Sequence, residues 1–217
     1  MSFCIALTSA DLALTKDAFA IVGSIASAAG VGLAFYVGLK GLATWKRQLR
    51  GAAHHDLARK ALVELYKYRE SVERARSPVM FANELQPSED EEAELSFVGK
   101  NYIRKCRAYE RRFETMSGGR ASIQAIIIES EALWGKDLRD LVKPLFSMEY
   151  EFVHYVGYFL MSSDPREDDD NRRVSYEVIK DKPKIIYDAL GEEGDEFRKD
   201  FNRQISVIEN YLRPKLA

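Results

Sequence analysis

Residues 18–50 read AFAIVGSIASAAGVGLAFYVGLKGLATWKRQLR. From Ala18 to Leu39, about 22 positions, there is no charged side chain. A bilayer core ~30 Å thick is crossed by ~20 helical residues at ~1.5 Å rise each, so the length fits a crossing. A surface helix of a globular domain turns a polar face outward every three to four residues, whereas here Ser24 and Ser27 are the only clearly polar side chains. A segment that is apolar all round needs lipid or complete burial. Its flanks favour lipid: Lys40 can snorkel, Trp45 suits the headgroup layer, and Lys46, Arg47 and Arg50 follow with no acid among them. These five form the expected membrane-interface collar.

The charge flanks also give an orientation. Asp11, Lys16 and Asp17 nearly cancel before the apolar run, while positive charge gathers after it. A cleavable signal peptide has a basic start and an apolar region of only ~7–15 residues, so cleavage is not expected. The positive-inside rule leaves residues 1–17 as a short extracytoplasmic N-terminus, 18–44 as the transmembrane helix and 45–217 as one cytoplasmic helical domain. Cys4 and Cys106 then lie on opposite sides of the membrane, and no internal disulfide is expected.

Composition fits a tethered all-α protein. The 217 residues carry 32 Lys and Arg against 34 Asp and Glu and only 6 Pro, which suits one compact helical core after the anchor. Charge is nonetheless segregated: 40–76 and 100–120 are net basic, and 84–94, 164–170 and 192–196 are acidic. Anionic headgroups attract the collar next to the bilayer, a pull that fades within ~8 Å. Nucleic acid is disfavoured as a partner, because the net charge is −2 and no glycine-aromatic RNA-binding signature is present.

Apolar residues recur at helical spacing throughout the second part. Leu57, Ala61, Leu65, Tyr68 and Val72 share a face of a helix that can continue from the anchor and that Ser77-Pro78 ends. After an acidic loop with Pro87, Leu95, Val98, Tyr102, Cys106, Tyr109 and Phe113 form a second stripe, which Ser117-Gly118-Gly119 is expected to close. A third helix is expected over 121–141, with Pro144 breaking or kinking the pattern before Leu145, Met148, Phe152, Tyr155 and Phe159 resume it. Phe197, Phe201, Ile205, Ile208 and Leu212 make the last stripe, stopped by Pro214, while 174–190 reads as either helix or strand.

Several short segments carry a likeness. Trp45-Lys46-Arg47-Gln48-Leu49, Leu57-Ala58-Arg59, Arg76 with Pro78, Leu133-Trp134-Gly135, Asp195-Glu196-Phe197 and Leu212-Arg213-Pro214 together resemble a family of uncharacterised bacterial single-pass inner-membrane proteins. The resemblance covers most of the chain from Trp45 and implies architecture and location, with no activity to transfer. In layout the chain is also similar to the small membrane proteins of bacterial anti-phage systems, a likeness of architecture alone.

Two patterns invite chemistry. Arg50 and His55 have the spacing R-x4-H, and Arg47 with His54 has R-x6-H, spacings that resemble the motif of HEPN ribonucleases. Such a pair could hold a scissile phosphate on the guanidinium while the imidazole moves the ribose hydroxyl proton. Gly51 replaces the usual polar residue after the arginine, and a basic collar already accounts for these side chains. Glu151 and His154 form a single E-x-x-H, but a di-metal bundle needs a second such pair and further inward carboxylates. The acidic run 164–170 lacks the glycine and closing glutamate of a calcium loop and reads as a solvated turn. No phosphate-binding glycine loop, G-x-S-x-G or paired C-x-x-C occurs, and neither metal nor cofactor is expected.

Ala26, Gly30, Ala34 and Gly38 are spaced four apart and line one face of the apolar helix, with Gly23 and Ser27 beside them. Close backbone approach over small residues favours association in lipid, so a homo-oligomer is expected. The resulting expectation is a non-enzymatic membrane protein that acts through a cytoplasmic protein partner or by perturbing the membrane. The alternative is a membrane-tethered HEPN-like ribonuclease using Arg50 and His55.

Overall fold

A computed structural model gives the fold and describes residues 9–86, 96–189, 191 and 194–216. Cys4, Pro87, Leu95, Glu192 and most of the acidic run 84–94 lie outside the described residues. The described elements are all helical: α1 (Ser9–Ala75), α2 (Phe97–Trp134), α3 (Asp137–Ser162), α4 (Asp169–Ile179) and α5 (Glu196–Leu212), then a 3-10 turn at Arg213–Leu216. The chain divides into two units, Met1–Ala53 and His54–Ala217.

The first unit consists, among its described residues, of the N-terminal part of α1. Its apolar side chains find no cover among the described residues: Val31 is 70% and Phe35 68% exposed, and none of the most apolar 18-residue window is buried. Its two serine hydroxyls within 18–39 bond to the helix backbone. Ser24 donates to the carbonyls of Ala20 (2.8 Å) and Ile21 (3.0 Å), and Ser27 to that of Gly23 (2.9 Å). The helix is long and apolar enough to cross a membrane.

The second unit is a helical bundle in which α3 touches α2, α4 and α5. The first stripe behaves as its spacing requires, with Leu57, Ala61, Leu65, Tyr68 and Val72 all buried. So are Phe197, Phe201, Ile205, Ile208 and Leu212 on α5, and Phe152 stands edge-on to Phe113 and tilted against Phe197. Side-chain caps start three helices: Ser96 accepts from Gly99 N–H (3.2 Å), Asp168 from Asn171 (2.8 Å) and Asp195 from Arg198 (2.9 Å).

One helix boundary differs from expectation, and two readings left open by the sequence are decided. Ser117-Gly118-Gly119 does not end α2, which runs on to Trp134. A Cβ on Gly119 would lie 3.4 Å from a Tyr68 ring carbon and 3.5 Å from Tyr68 Cα, in ordinary contact, so Gly119 faces α1 at a close crossing within a continuing helix. The break comes at Gly135, whose φ of 68° suits glycine and whose N–H bonds back to Glu131 O at 3.2 Å. Pro144 lies inside α3 without ending it. An interior proline costs ~3 kcal/mol or more, against which α3 buries Leu138, Val142, Leu145, Phe152 and Val156. Finally, Val174, Tyr176 and Val178 belong to the helix α4 and not to a strand; Ile185 and Ile186 in the connection to α5 are buried.

Candidate functional site

The small-residue face lies open. Ala26, Gly30, Ala34 and Gly38 are all exposed, and a Cβ built on Gly30 or Gly38 would meet nothing within 4 Å. In the collar, Lys40 Nζ sits 4.9 Å from the centroid of Tyr36, and Trp45, Lys46, Arg47 and Arg50 are exposed. Among the described residues no carboxylate pairs with Lys46, Arg47 or Arg50.

The two histidines after the collar have different surroundings. Trp134 Nε1–H donates to His54 Nδ1 at 2.7 Å, and the two rings stack with centroids 6.2 Å apart. With His54 Nδ1 as the acceptor, this contact joins α1 to the end of α2. His55 is half-exposed, with Nδ1 3.8 Å from an Asp56 carboxylate oxygen. Arg50 is exposed on α1. His154 bonds through Nδ1 to Tyr150 O at 2.9 Å and lies against the Tyr150 ring, while Glu151 is exposed. No group of three or more potential metal ligands occurs among the described residues.

The densest polar organisation lies elsewhere, on arginines that periodicity alone did not single out. Arg112 is buried and uses all five N–H groups. Nε and Nη2 bind the Glu84 carboxylate at 2.9 and 3.1 Å, Nη1 reaches Ala75 O (3.3 Å) and Ser77 O (2.7 Å), and Nη2 also reaches Val79 O (2.6 Å). Next to it, Arg111 donates to the carbonyls of Asn83 (2.9 Å), Glu84 (2.5 Å) and Gln86 (2.5 Å). Together they take the carbonyls released where α1 ends and fix the loop that follows. The Arg112 guanidinium holds the Glu84 carboxyl below the usual range, against an opposing effect of burial.

Arg76 plays the corresponding part toward α5. It grips both oxygens of Asp195, donates through Nε to Ile185 O at 2.9 Å, and lies 4.2 Å from the Phe197 ring centroid. Burial alone would raise the Asp195 carboxyl; hydrogen bonds from Arg76 and the Arg198 N–H outweigh it and hold the group low. Arg76, Asp195 and Phe197 had appeared in sequence only as separate short segments. At the centre, Tyr68 Oη–H donates to the buried Glu149 at 2.5 Å, and Arg120 adds a 3.4 Å contact from α2. Asp164, expected in a solvated turn, is in fact buried and bound by Arg166, whose hydrogen bonds lower its pKa.

Comparison with known proteins finds no matching family model, no matching curated protein and no matching solved structure. The reading of function therefore rests on the chain's own chemistry.

Proposed function

We infer that this is a membrane-anchored, homo-oligomerising helical protein of the bacterial inner membrane, whose domain after the anchor acts by protein interaction or by perturbing the bilayer. One observation carries the reading: an uncharged helical run of about 22 residues has none of its apolar window buried within its own chain. Exposing so many large apolar side chains to water is unfavourable by ~25 cal/mol per Å². Lipid removes that cost, and the bonding of Ser24 and Ser27 to helix carbonyls satisfies both serine hydroxyls there. The cationic collar of Lys40, Lys46, Arg47 and Arg50 supports an N-out orientation with anionic headgroups as one partner.

The open Ala26, Gly30, Ala34 and Gly38 face supports self-association. In the second unit the buried charges are consumed in holding the fold, which favours an interaction role over chemistry. The test compares membrane potential in cells producing the full chain with cells producing residues 45–217. Depolarisation by the full chain alone is expected. An equal effect from the fragment would place the action away from the bilayer and defeat the perturbation reading.

A further inference from the structure

A cleft of 490 Å³ opens beside the end of α1, lined by Ser71, Arg74, Phe81, Arg111, Arg112 and Thr115 among others. Every lining residue belongs to the His54–Ala217 unit, so the cleft can be argued separately from the membrane reading. Its volume lies within the ~300–1,000 Å³ usual for small-molecule sites.

The charge around it is unbalanced. Three guanidiniums, those of Arg74, Arg111 and Arg112, face one lining carboxylate, Glu84, and both Glu84 oxygens are taken by Arg112. Arg74 is paired with Glu70 at 3.0 Å on the exposed surface. The carbonyls that Arg111 binds are neutral, and among the described residues no carboxylate pairs with it. A guanidinium so placed favours an anion.

Phe81 is the aromatic residue of the lining. Phe81 is 62% exposed although its backbone is fixed, its N–H donating to Glu84 Oε2 at 2.8 Å and its carbonyl accepting from Glu84 N–H at 3.0 Å. Arg111 and Arg112 bind six carbonyls between Ala75 and Gln86, so the wall is set before any ligand arrives. An exposed aromatic ring and a guanidinium lining the same cleft match a ligand with a planar ring and an anionic group. We propose that this cleft is a binding site for a small aromatic anion, of the size of a mononucleotide or aryl phosphate, with Arg111 supplying the charge and Phe81 the stacking surface.

The test is calorimetric titration of the full chain in a nonionic detergent with AMP and phenyl phosphate, using adenosine and inorganic phosphate as half-ligands. At least one aromatic phosphate should bind more tightly than either half-ligand. Thr115→Glu places a negative charge in the cleft at an exposed position and should weaken that binding by about tenfold, since like charges at a shared site cost a few kcal/mol or less when partly solvated. Phe81→Ala keeps the loop's backbone bonds and should reduce affinity toward that of inorganic phosphate. Circular dichroism matching the parent confirms that both variants are folded. Absence of binding by both aromatic phosphates at millimolar concentration, or equal binding by the parent and the two variants, would overturn the assignment.

Discussion

A guanidinium removed from water holds its place only when its N–H groups find acceptors, and Arg112 finds five. Tyr109, Arg112 and Met116 fall at helical spacing and all three are buried, but a charged residue on such a stripe does not stand out by periodicity. What periodicity could not supply was the partner, because Glu84 lies 28 residues away across a loop. The same holds for Arg76 and Asp195, 119 residues apart. These pairs give stability a definite pH dependence. Glu84, Asp164 and Asp195 all have folded pKa values below their unfolded ones of ~4.3 for Glu and ~3.9 for Asp. Their contribution is therefore complete above those unfolded values and is lost as pH falls through the lowered folded ones. Thermal melts of the full chain should show Tm level from these groups above about pH 5 and declining below about pH 4. Asp195→Asn keeps a capping oxygen but removes the charge, so it should lower stability at neutral pH by about 3 kcal/mol, near the low end for breaking a buried pair, and should flatten the acid decline. An unchanged acid profile in that variant would remove Asp195 from the account.

Elements were most legible where an apolar stripe was long and uninterrupted. The α1 stripe from Leu57 to Val72 and the α5 stripe from Phe197 to Leu212 are buried as their spacing implies. Boundaries were less legible, because glycine and proline signal several things at once. Gly119 serves a close crossing against Tyr68, Gly135 a positive-φ helix end, and Pro144 is accommodated within α3. Sequence spacing alone does not separate these uses; the neighbouring helix does. Val98, counted in the α2 stripe, is 63% exposed, since the stripe drifts off the core toward the first turn. The small-residue face of the apolar helix makes a prediction at this scale. Gly30→Leu adds bulk where backbones would meet and should weaken self-association by about 1–3 kcal/mol, as overpacking does. Val31→Leu, one position around the helix, should leave it unchanged. Energy transfer between labelled copies in membranes measures both. Equal efficiencies for the two variants would mean that Gly30 does not lie in an interface.

Across the whole molecule, the apolar helix and the arginine-braced bundle impose different demands on their surroundings. Within the His54–Ala217 unit, buried stripes cover one another and the buried guanidiniums of Arg76 and Arg112 meet carboxylates. The N-terminal unit leaves its apolar surface uncovered among the described residues, on a helix long and apolar enough to cross a membrane. All-helical architecture was legible because every long segment repeats at three and four residues, and the candidate span because charge is absent over 18–39. The cleft beside Phe81 was not legible, because it depends on Arg111 and Arg112 meeting a loop that precedes them by some 25–28 residues. The two cysteines supply the deciding measurement for the membrane reading. Cys106 is half-buried, and burial pushes its thiol up and away from the reactive thiolate, which makes Cys4 the responsive probe. A membrane-impermeant maleimide applied to right-side-out inner-membrane vesicles should label Cys4, and the same reagent applied to inverted vesicles should label it only after detergent is added. Labelling of Cys4 from the cytoplasmic face alone, or recovery of the chain in the soluble fraction after alkaline extraction, would contradict a single N-out crossing.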